Sequence, residues 1–294
     1  MTIDEVKTIG VVGAGQMGRG IAQVIAGAGW NVLLVDVTED LLEEAIRKIW
    51  QGVMKALEKG ALGSDQAETI MALIRPTRRM EQLQKAQVVI EAIPEDPLMK
   101  RELFAQFGRI CEPSTLLASN TSSISIASLG TASKLAGRVL GMHFMNPVPA
   151  MRLVEIVRGV ETSEHAMQMA LGLVYRLGKT PVLCKDVPGF IVNRLLIPMI
   201  NEAIFALEDG VASAEAIDLA MVEGTNHPVG PLALADRIGL DTVHAICEVL
   251  HQDLGDPKFR PCPLLRQYVE AGWLGKKSGR GFYTYNEQSV MSVT

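Results

Sequence analysis

The sequence predicts an α/β N-terminal domain with an inserted helical hairpin, followed by an all-α C-terminal domain. Up to about residue 187, short runs of Ile, Val and Leu alternate with helical patterns, as in a parallel sheet flanked by helices. Residues 39–74 interrupt this alternation with two successive helical patterns. After residue 187 only helical patterns remain. We therefore place the first domain at residues 1–187 and the second at residues 188–294.

The chain opens with a strand, a turn, a helix and a second strand. The run KTIGVVGAG is rich in Ile and Val and ends in glycines. A helix follows in QMGRGIAQVIAGAG, closed by Gly29. The run NVLLVD is a second apolar strand that ends in an acid. This order predicts the beginning of a parallel sheet.

The hairpin segment TEDLLEEAIRKIWQGVMKALEKGALGSDQAETIMALI contains two helical patterns broken near Gly60–Ser64. Thr38 can cap the first helix, and acidic residues occupy its first turn. A hairpin of this length should project from the sheet.

The remainder of the first domain continues the alternation. AQVVIEAIPE predicts a buried strand, DPLMKRELFAQFGRIC a helix that begins at Pro97, and TLLASNTSS a strand that runs into a polar loop. GRVLGMHF and MRLVEIVRG are two further strands, SEHAMQMALGLVYRLG is an amphipathic helix, and KTPVLCKD is a last short strand. In the second domain, the predicted helix from Phe190 to Leu207 is apolar on nearly all sides, which favours a homodimer interface.

Composition excludes several classes of protein. The chain has 294 residues, of which 48% are hydrophobic and 21% charged, as in ordinary soluble globular proteins. Its net charge of −5 argues against a nucleic-acid groove or a polybasic membrane surface. The longest apolar region is interrupted by polar residues, so we expect no membrane span. The N-terminus does not resemble a signal peptide, and the four cysteines lack paired spacing, so we expect a cytoplasmic protein without a metal site.

The loop GAGQMG, residues 13–18, fits the pattern G-x-G-x-x-G between a predicted strand and a predicted helix. In that context Gly13 allows a tight turn, Gly15 lets a pyrophosphate approach the helix N-terminus, and Gly18 lets helix and strand pack closely. Gln16 and Met17 complete the predicted cofactor loop. Asp36 would bind the adenosine ribose and repel a 2′-phosphate, so the pattern favours NAD over NADP. The alternative is a structural glycine turn followed by an acid that merely ends a strand.

Two ionisable side chains stand in apolar runs. His143 ends the run RVLGMHF, and Glu155 lies in the middle of RLVEIV. A buried carboxylate is costly unless it is paired, so Glu155 needs a partner if it faces inward. Side-chain alternation does not decide which face is buried, and Glu155 could instead lie on an exposed strand face. Ser122 and Asn193, taken alone, could equally be helix caps or loop residues.

The motifs SNTSS, HFMNPVP, LVEIV, DVPGFIVNRLL, NHPVGPLALADRIGLD and GWLGKKSGRGFYTY together resemble the L-3-hydroxyacyl-CoA dehydrogenase family. The resemblance runs from Lys7 to Tyr285 and is greatest for the short bacterial form. It implies a Rossmann-type NAD-binding domain with a helical hairpin, and a helical C-terminal domain that forms a homodimer. It also implies reversible, NAD-dependent oxidation of a short-chain (S)-3-hydroxyacyl-CoA to the 3-oxoacyl-CoA.

The resemblance assigns roles to individual residues. His143 matches the catalytic base and Glu155 its orienting partner. Ser122 matches a residue that contacts substrate and nicotinamide, and Asn193 one near the substrate carbonyl. The remaining positions that match cofactor contacts are Glu95, Lys100 and Asn146. A histidine suits this chemistry because its reference pKa of about 6.5 lies near the working pH, and a neighbouring carboxylate would stabilise the imidazolium.

Two other functions stay open at this point. One is an enzyme similar to L-gulonate 3-dehydrogenase, which acts on a free hydroxy acid and needs no CoA site. The other is a non-catalytic NAD-binding protein. In the hairpin, Lys48, Lys55 and Lys59 could bind the CoA end of a substrate or could form a solvated helix face, and among them Lys55 is our candidate substrate contact.

Overall fold

The computed structural model describes residues 2–285, so the last nine residues of the predicted second domain (286–294) lie outside the described residues. The chain divides into two compact units between Val187 and Pro188. Each unit has its own buried apolar core.

An eight-stranded sheet forms the centre of the first unit, in the order β3-β2-β1-β4-β5-β6-β7-β8. Neighbouring strands are parallel except for the antiparallel pair β6 and β7. Most strands are short Val- and Leu-rich runs buried on both faces, as expected when helices cover a parallel sheet. The strands are β1 Thr8–Val12, β2 Asn31–Val35, β3 Ile74–Thr77, β4 Val88–Glu91, β5 Leu116–Ser119, β6 Val139–Phe144, β7 Leu153–Arg158 and β8 Thr180–Lys185.

The helices of the first unit begin at recognisable caps. The Thr38 hydroxyl accepts a hydrogen bond from the Leu41 amide, as predicted, and Asp96 caps the Met99 amide ahead of Pro97. The α-helices of this unit are α1 Gln16–Gly27, α2 Glu39–Glu58, α3 Ser64–Leu73, α4 Pro97–Ile110, α5 Ile126–Ser133 and α6 Glu164–Arg176. The sequence patterns did not predict β3 or α5.

The hairpin of α2 and α3 is packed on the domain more closely than predicted. Its inner face joins the main core through Leu42, Ala45, Ile49 and Val53 of α2 and through Ala67 and Ile70 of α3. The sequence predicts a hairpin that projects from the sheet, and in the structure this apolar face packs on α1. Its outer face, with Lys48, Lys55 and Lys59, is exposed.

The second unit is helical. Its core is built mainly on α7, whose Ile197, Ile200 and Ile204 are fully buried, whereas Leu195 on the same helix is 69% exposed. The helices are α7 Val192–Glu208, α8 Ala214–Thr225, α9 Pro231–Ile238, α10 Leu240–Leu254 and α11 Pro263–Glu270. Among residues 2–285, none of the helices combines the length and apolarity needed to cross a membrane.

Candidate active site

The candidate site lies at the carboxyl ends of the parallel strands, where ligands bind in open α/β sheets. Because β2, β1, β4, β5 and β6 are parallel neighbours, the segments that follow them meet along one edge. In sheet order this edge carries Asp36, the loop 13–18, Glu95, Ser122 and His143. The sequence-predicted residues of the first unit are therefore arranged along a line rather than scattered.

The glycine loop has the geometry that the motif predicts. Gly13 has a φ of +103°, and a Cβ there would lie 2.5 Å from the carbonyl oxygen of Ala92. A Cβ on Gly18 would lie 1.7 Å from the Gly13 carbonyl oxygen, so helix and strand meet closely. A Cβ on Gly15 would meet nothing within 4 Å. Gly15 therefore leaves open space at the N-terminus of α1, where a pyrophosphate can bind.

Asp36 lies just beyond β2, and backbone amides fix its carboxylate. One oxygen accepts from the Ala14 amide at 2.6 Å and the other from the Val37 amide at 2.7 Å. Each carboxylate oxygen can accept a further hydrogen bond, so the group can still bind ribose hydroxyls. The same bonds tie the end of β2 to the glycine loop.

A cavity of about 270 Å³ lies beside Asp36, and we call it the adenosine cavity. Sequence reasoning missed most of its lining, since these residues carry no motif. The lining is largely apolar and comprises Val12, Gly13, Val35, Asp36, Val37, Arg78, Met80, Ile93, Met99, Glu102, Leu103 and Gln106. An apolar slot with a few polar groups is typical of a site for a flat heterocycle.

A buried charge network underlies the centre of the edge. The Lys100 ammonium lies 2.6 Å from a Glu91 oxygen and 3.2 Å from a Glu95 oxygen. Lys100 is 1% exposed and Glu91 is fully buried. Lys100 thus lies beneath the edge and supports the site through its carboxylate partners.

Glu95 organises the polar loop after β5. One of its oxygens accepts from the Thr121 hydroxyl at 2.5 Å, the Ser122 amide at 2.8 Å and the Ser123 amide at 3.2 Å. The Ser122 hydroxyl lies 3.1 Å from the same oxygen. Burial acts to raise the pKa of Glu95, but Lys100 and the loop's hydrogen bonds hold that pKa below its usual value. Glu95 is therefore a fixed anion that positions Ser122.

His143 and Glu155 form a buried pair. They are directly opposite each other in the antiparallel register of β6 and β7. The His143 Nδ1 lies 2.6 Å from a Glu155 oxygen, with the His143 side chain 11% exposed and that of Glu155 0% exposed. Glu155 therefore faces inward, which excludes the exposed strand face that its sequence pattern left open.

Other hydrogen bonds, some from residues that the sequence did not single out, also hold this end of the edge in place. The Asn120 side chain accepts from the Phe144 amide at 2.9 Å and so links the loop after β5 to the residue after His143. The Gln16 side-chain Nε2 donates to the Asn146 side-chain oxygen at 3.0 Å, which joins the glycine loop to the segment after β6. Buried Lys179 donates to the carbonyls of Val148 and Met151, both at 2.6 Å, and fixes that segment.

The other predicted residues lie elsewhere in the chain. Met17 is half-buried in the first turn of α1, and Lys55 is exposed on α2. Asn193 is half-buried in the first turn of α7, in the second unit. Residues 2–285 contain no group of three or more His, Cys, Asp or Glu side chains suited to a metal ion.

Comparison with known proteins identifies the scaffold that carries this site. The family model for the 3-hydroxyacyl-CoA dehydrogenase NAD binding domain matches residues 8–187, and that for the 3-hydroxyacyl-CoA dehydrogenase C-terminal domain matches residues 189–285. The chain belongs to the 3-hydroxyacyl-CoA dehydrogenase family. This membership confirms the predicted fold class, the enzyme class and NAD as the cofactor.

Several named members of the 3-hydroxyacyl-CoA dehydrogenase family are similar over nearly their full length. A probable 3-hydroxybutyryl-CoA dehydrogenase of Bacillus subtilis is 51% identical over 97% of this chain and 99% of that protein. The 3-hydroxybutyryl-CoA dehydrogenase of Bradyrhizobium diazoefficiens is 46% identical over 95% of this chain and 96% of that protein. The crystal structure of (S)-3-hydroxybutyryl-CoA dehydrogenase from Ralstonia eutropha has a TM-score of 0.93 and 44% identity, covering 96% of this chain and 100% of that one.

The residues at the sheet edge fit the dinucleotide that this dehydrogenase family uses. Gly15 leaves room for the pyrophosphate, Asp36 can accept from the ribose, and the adenosine cavity offers apolar walls for the base. From Asp36 the edge runs past the glycine loop to Ser122 and His143.

Proposed function

We propose that this dehydrogenase oxidises short-chain (S)-3-hydroxyacyl-CoA, such as (S)-3-hydroxybutyryl-CoA, to the 3-oxoacyl-CoA, with His143 as the base. The buried His143–Glu155 pair carries the proposal, because it lies at the end of the edge that follows the glycine loop. The relatives named above act on 3-hydroxybutyryl-CoA, which supports the short chain length.

Alcohol oxidation requires a base for the hydroxyl proton. When bound, NAD⁺ supplies the hydride acceptor. Because Glu155 engages Nδ1 of His143, we assign proton transfer to Nε2. A neutral His143 donates its Nδ1–H to the carboxylate, which fixes the tautomer, and the carboxylate then stabilises the imidazolium once Nε2 has taken the proton. In the reverse direction the imidazolium returns the proton to the carbonyl oxygen.

Ser122 and Asn193 are the proposed donors to the substrate oxygen. Negative charge develops on that oxygen when a carbonyl is reduced, and fixed donors stabilise it. Glu95 supports the role of Ser122 by accepting from its amide at 2.8 Å, which fixes the backbone. The Ser122 hydroxyl, which donates to Glu95 at 3.1 Å, turns its single proton to the substrate oxygen when it acts as the donor. The role of Asn193 rests on the family motif FIVNR.

The substrate proposal is tested by following NADH oxidation with acetoacetyl-CoA, longer 3-oxoacyl-CoA thioesters and free acetoacetate. We expect the highest kcat/KM with acetoacetyl-CoA and negligible turnover of the free acid. Efficient reduction of free acetoacetate, with no gain from CoA, would favour an enzyme similar to L-gulonate 3-dehydrogenase.

Asp36 should determine the choice of cofactor. Replacing it with serine removes the charged acceptor of the ribose hydroxyls, and hydrogen bonds to charged groups contribute about 1.5–3 kcal/mol. We therefore expect Asp36→Ser to raise the KM for NAD by about 10- to 100-fold and to permit measurable use of NADP. Asp36→Asn, which keeps the volume, isolates the effect of charge. Equal use of both cofactors by the unmodified enzyme would contradict the assignment.

The exposed lysines of α2 are proposed to bind the CoA phosphates. Lys55 and Lys59 have no ion-pair partner among the described residues, whereas Lys48 lies 3.9 Å from Glu44. We expect Lys55→Ala combined with Lys59→Ala to raise the KM for acetoacetyl-CoA several-fold without changing the KM for NADH. Lys7→Ala combined with Lys85→Ala removes the same charge from exposed positions elsewhere. An unchanged KM in the hairpin variant would place the phosphate contacts elsewhere.

The second unit is proposed to form a homodimer through α7. This helix buries one apolar face in its own core but still exposes Leu195, and exposed large apolar residues favour association. Sedimentation velocity should show a dimer at micromolar concentration, and Leu195→Glu should weaken it. A fully active monomer at that concentration would refute the proposal.

A cytoplasmic location is proposed from the state of the cysteines. All four are free thiols, and Cys111, Cys247 and Cys262 are buried. Free thiols are typical of reducing compartments. Labelling of intact cells with a membrane-impermeant thiol reagent should leave Cys184, the partly exposed one, unmodified.

A further inference from the structure

Arg78 is a cation in the adenosine cavity for which the activity described so far gives no role. It follows β3, and its Nε donates to the Val37 carbonyl at 3.2 Å, so its guanidinium is fixed beside the residue after Asp36. Its two terminal nitrogens have no hydrogen-bond partner within residues 2–285, and no carboxylate there is within ion-pair distance. The side chain is exposed on its outer side.

The chemistry around Arg78 suits the adenosine part of a dinucleotide. The walls formed by Val37, Met80, Ile93 and Met99 are apolar and can hold a purine ring. A planar guanidinium stacks on the face of an aromatic ring, and its terminal nitrogens can bind a phosphate in a bidentate manner. Arg78 therefore has two ways to interact with an adenosine nucleotide.

The charges that line the cavity decide whether Arg78 stacks on the purine or pairs with a phosphate. Asp36 and Glu102 are the anions of the lining, and Arg78 is its cation. A phosphate on the ribose 2′ position would meet the fixed carboxylate of Asp36 before it could pair with Arg78. Without that carboxylate, the free nitrogens of Arg78 could donate hydrogen bonds to the phosphate.

We propose that Arg78 is a specificity-determining residue of the dinucleotide site. Its guanidinium covers the adenosine end of the cofactor, and the Asp36 carboxylate prevents it from pairing with a 2′-phosphate. This inference rests on the proposed role of Asp36 in cofactor choice. The chain would thus carry a latent site for 2′-phosphorylated dinucleotides that one carboxylate blocks.

Isothermal titration calorimetry with two fragments tests the inference without any turnover. The probes are adenosine 5′-monophosphate and adenosine 2′,5′-bisphosphate, and the proteins are the unmodified chain, Arg78→Ala, Asp36→Ser and the double variant. We expect Arg78→Ala to weaken binding of the monophosphate by about 3- to 10-fold, since a stacked cation is lost. Asp36→Ser should bind the bisphosphate at least about 10-fold more tightly than the unmodified protein, and the double variant should lose most of that gain.

Arg75→Ala is the matched control, because Arg75 is an exposed arginine of β3 that does not line the cavity. It should leave both dissociation constants unchanged. Equal effects of Arg75→Ala and Arg78→Ala, or a double variant that keeps the full gain for the bisphosphate, would overturn the role of Arg78. An Asp36→Ser protein that binds the bisphosphate no more tightly than the unmodified chain would instead overturn the role of Asp36 itself.

Discussion

Replacing Glu155 with glutamine should lower kcat by about 10²- to 10⁴-fold, the range seen when an orienting carboxylate is removed from a catalytic histidine. The change keeps the volume of the side chain and an oxygen that can accept from Nδ1, so the fold should persist. It removes the negative charge 2.6 Å from the histidine ring. The imidazolium that forms during alcohol oxidation then has no counter-charge in a buried setting, and the tautomer is no longer fixed.

Three measurements separate this effect from a general loss of structure. The dissociation constant for NAD should change little, because Asp36 and the glycine loop lie at other strands of the edge. His143→Gln should be comparably inactive, and the double variant barely worse, since residues that act as one unit are not additive. Glu161→Gln, at an exposed position after β7, should retain full activity. A Glu155→Gln enzyme with near-normal kcat would show that Glu155 does not orient His143 for catalysis.

Much of the fold could be predicted because its signals are local. Val- and Ile-rich runs, the cap at Thr38 and the glycine loop each act within a few residues, and the structure confirms them. Strand β3 was missed because Ile74–Thr77 contains a proline and two exposed residues. It is a strand only through its pairing with β2, at the edge of the sheet, where proline is tolerated. Helix α5 was missed because its serine-rich sequence resembles a loop.

The site was less predictable because its contacts are not local. Alternation along RLVEIV could not say which face of the strand is buried. The pairing of Glu155 with His143 across β6 and β7, and the burial of its side chain, show that it faces inward. Lys100 matched a cofactor contact, but no helical pattern reveals that two carboxylates hold it below the edge. Arg78 belongs to no motif, and Asn120 lies in SNTSS without a predicted role, so only the fold shows what they do at the site.

Replacing Lys100 with methionine should lower the free energy of unfolding by about 3–5 kcal/mol, the usual cost of removing one partner of a buried ion pair. The change leaves the Glu91 carboxylate fully buried without its counter-charge. It also releases Glu95 from one of its partners, so the Thr121–Ser123 loop should loosen and the KM for NAD should rise. Urea denaturation gives the stability, and steady-state kinetics gives the KM.

The loss of stability should depend on pH through Glu91. Burial raises the pKa of Glu91 even in the intact protein, and Lys100 opposes that rise. Without Lys100 the folded state holds the Glu91 proton more strongly than the unfolded state does, so stability falls as pH rises above the unfolded pKa. The deficit of Lys100→Met should therefore be smaller at pH 5.5 than at pH 8. Adding Glu91→Gln, which keeps an acceptor for the Ser119 hydroxyl, should recover part of the stability and abolish this pH dependence. A deficit that is equal at both pH values, and that Glu91→Gln does not reduce, would show that Lys100 contributes by packing and not by charge.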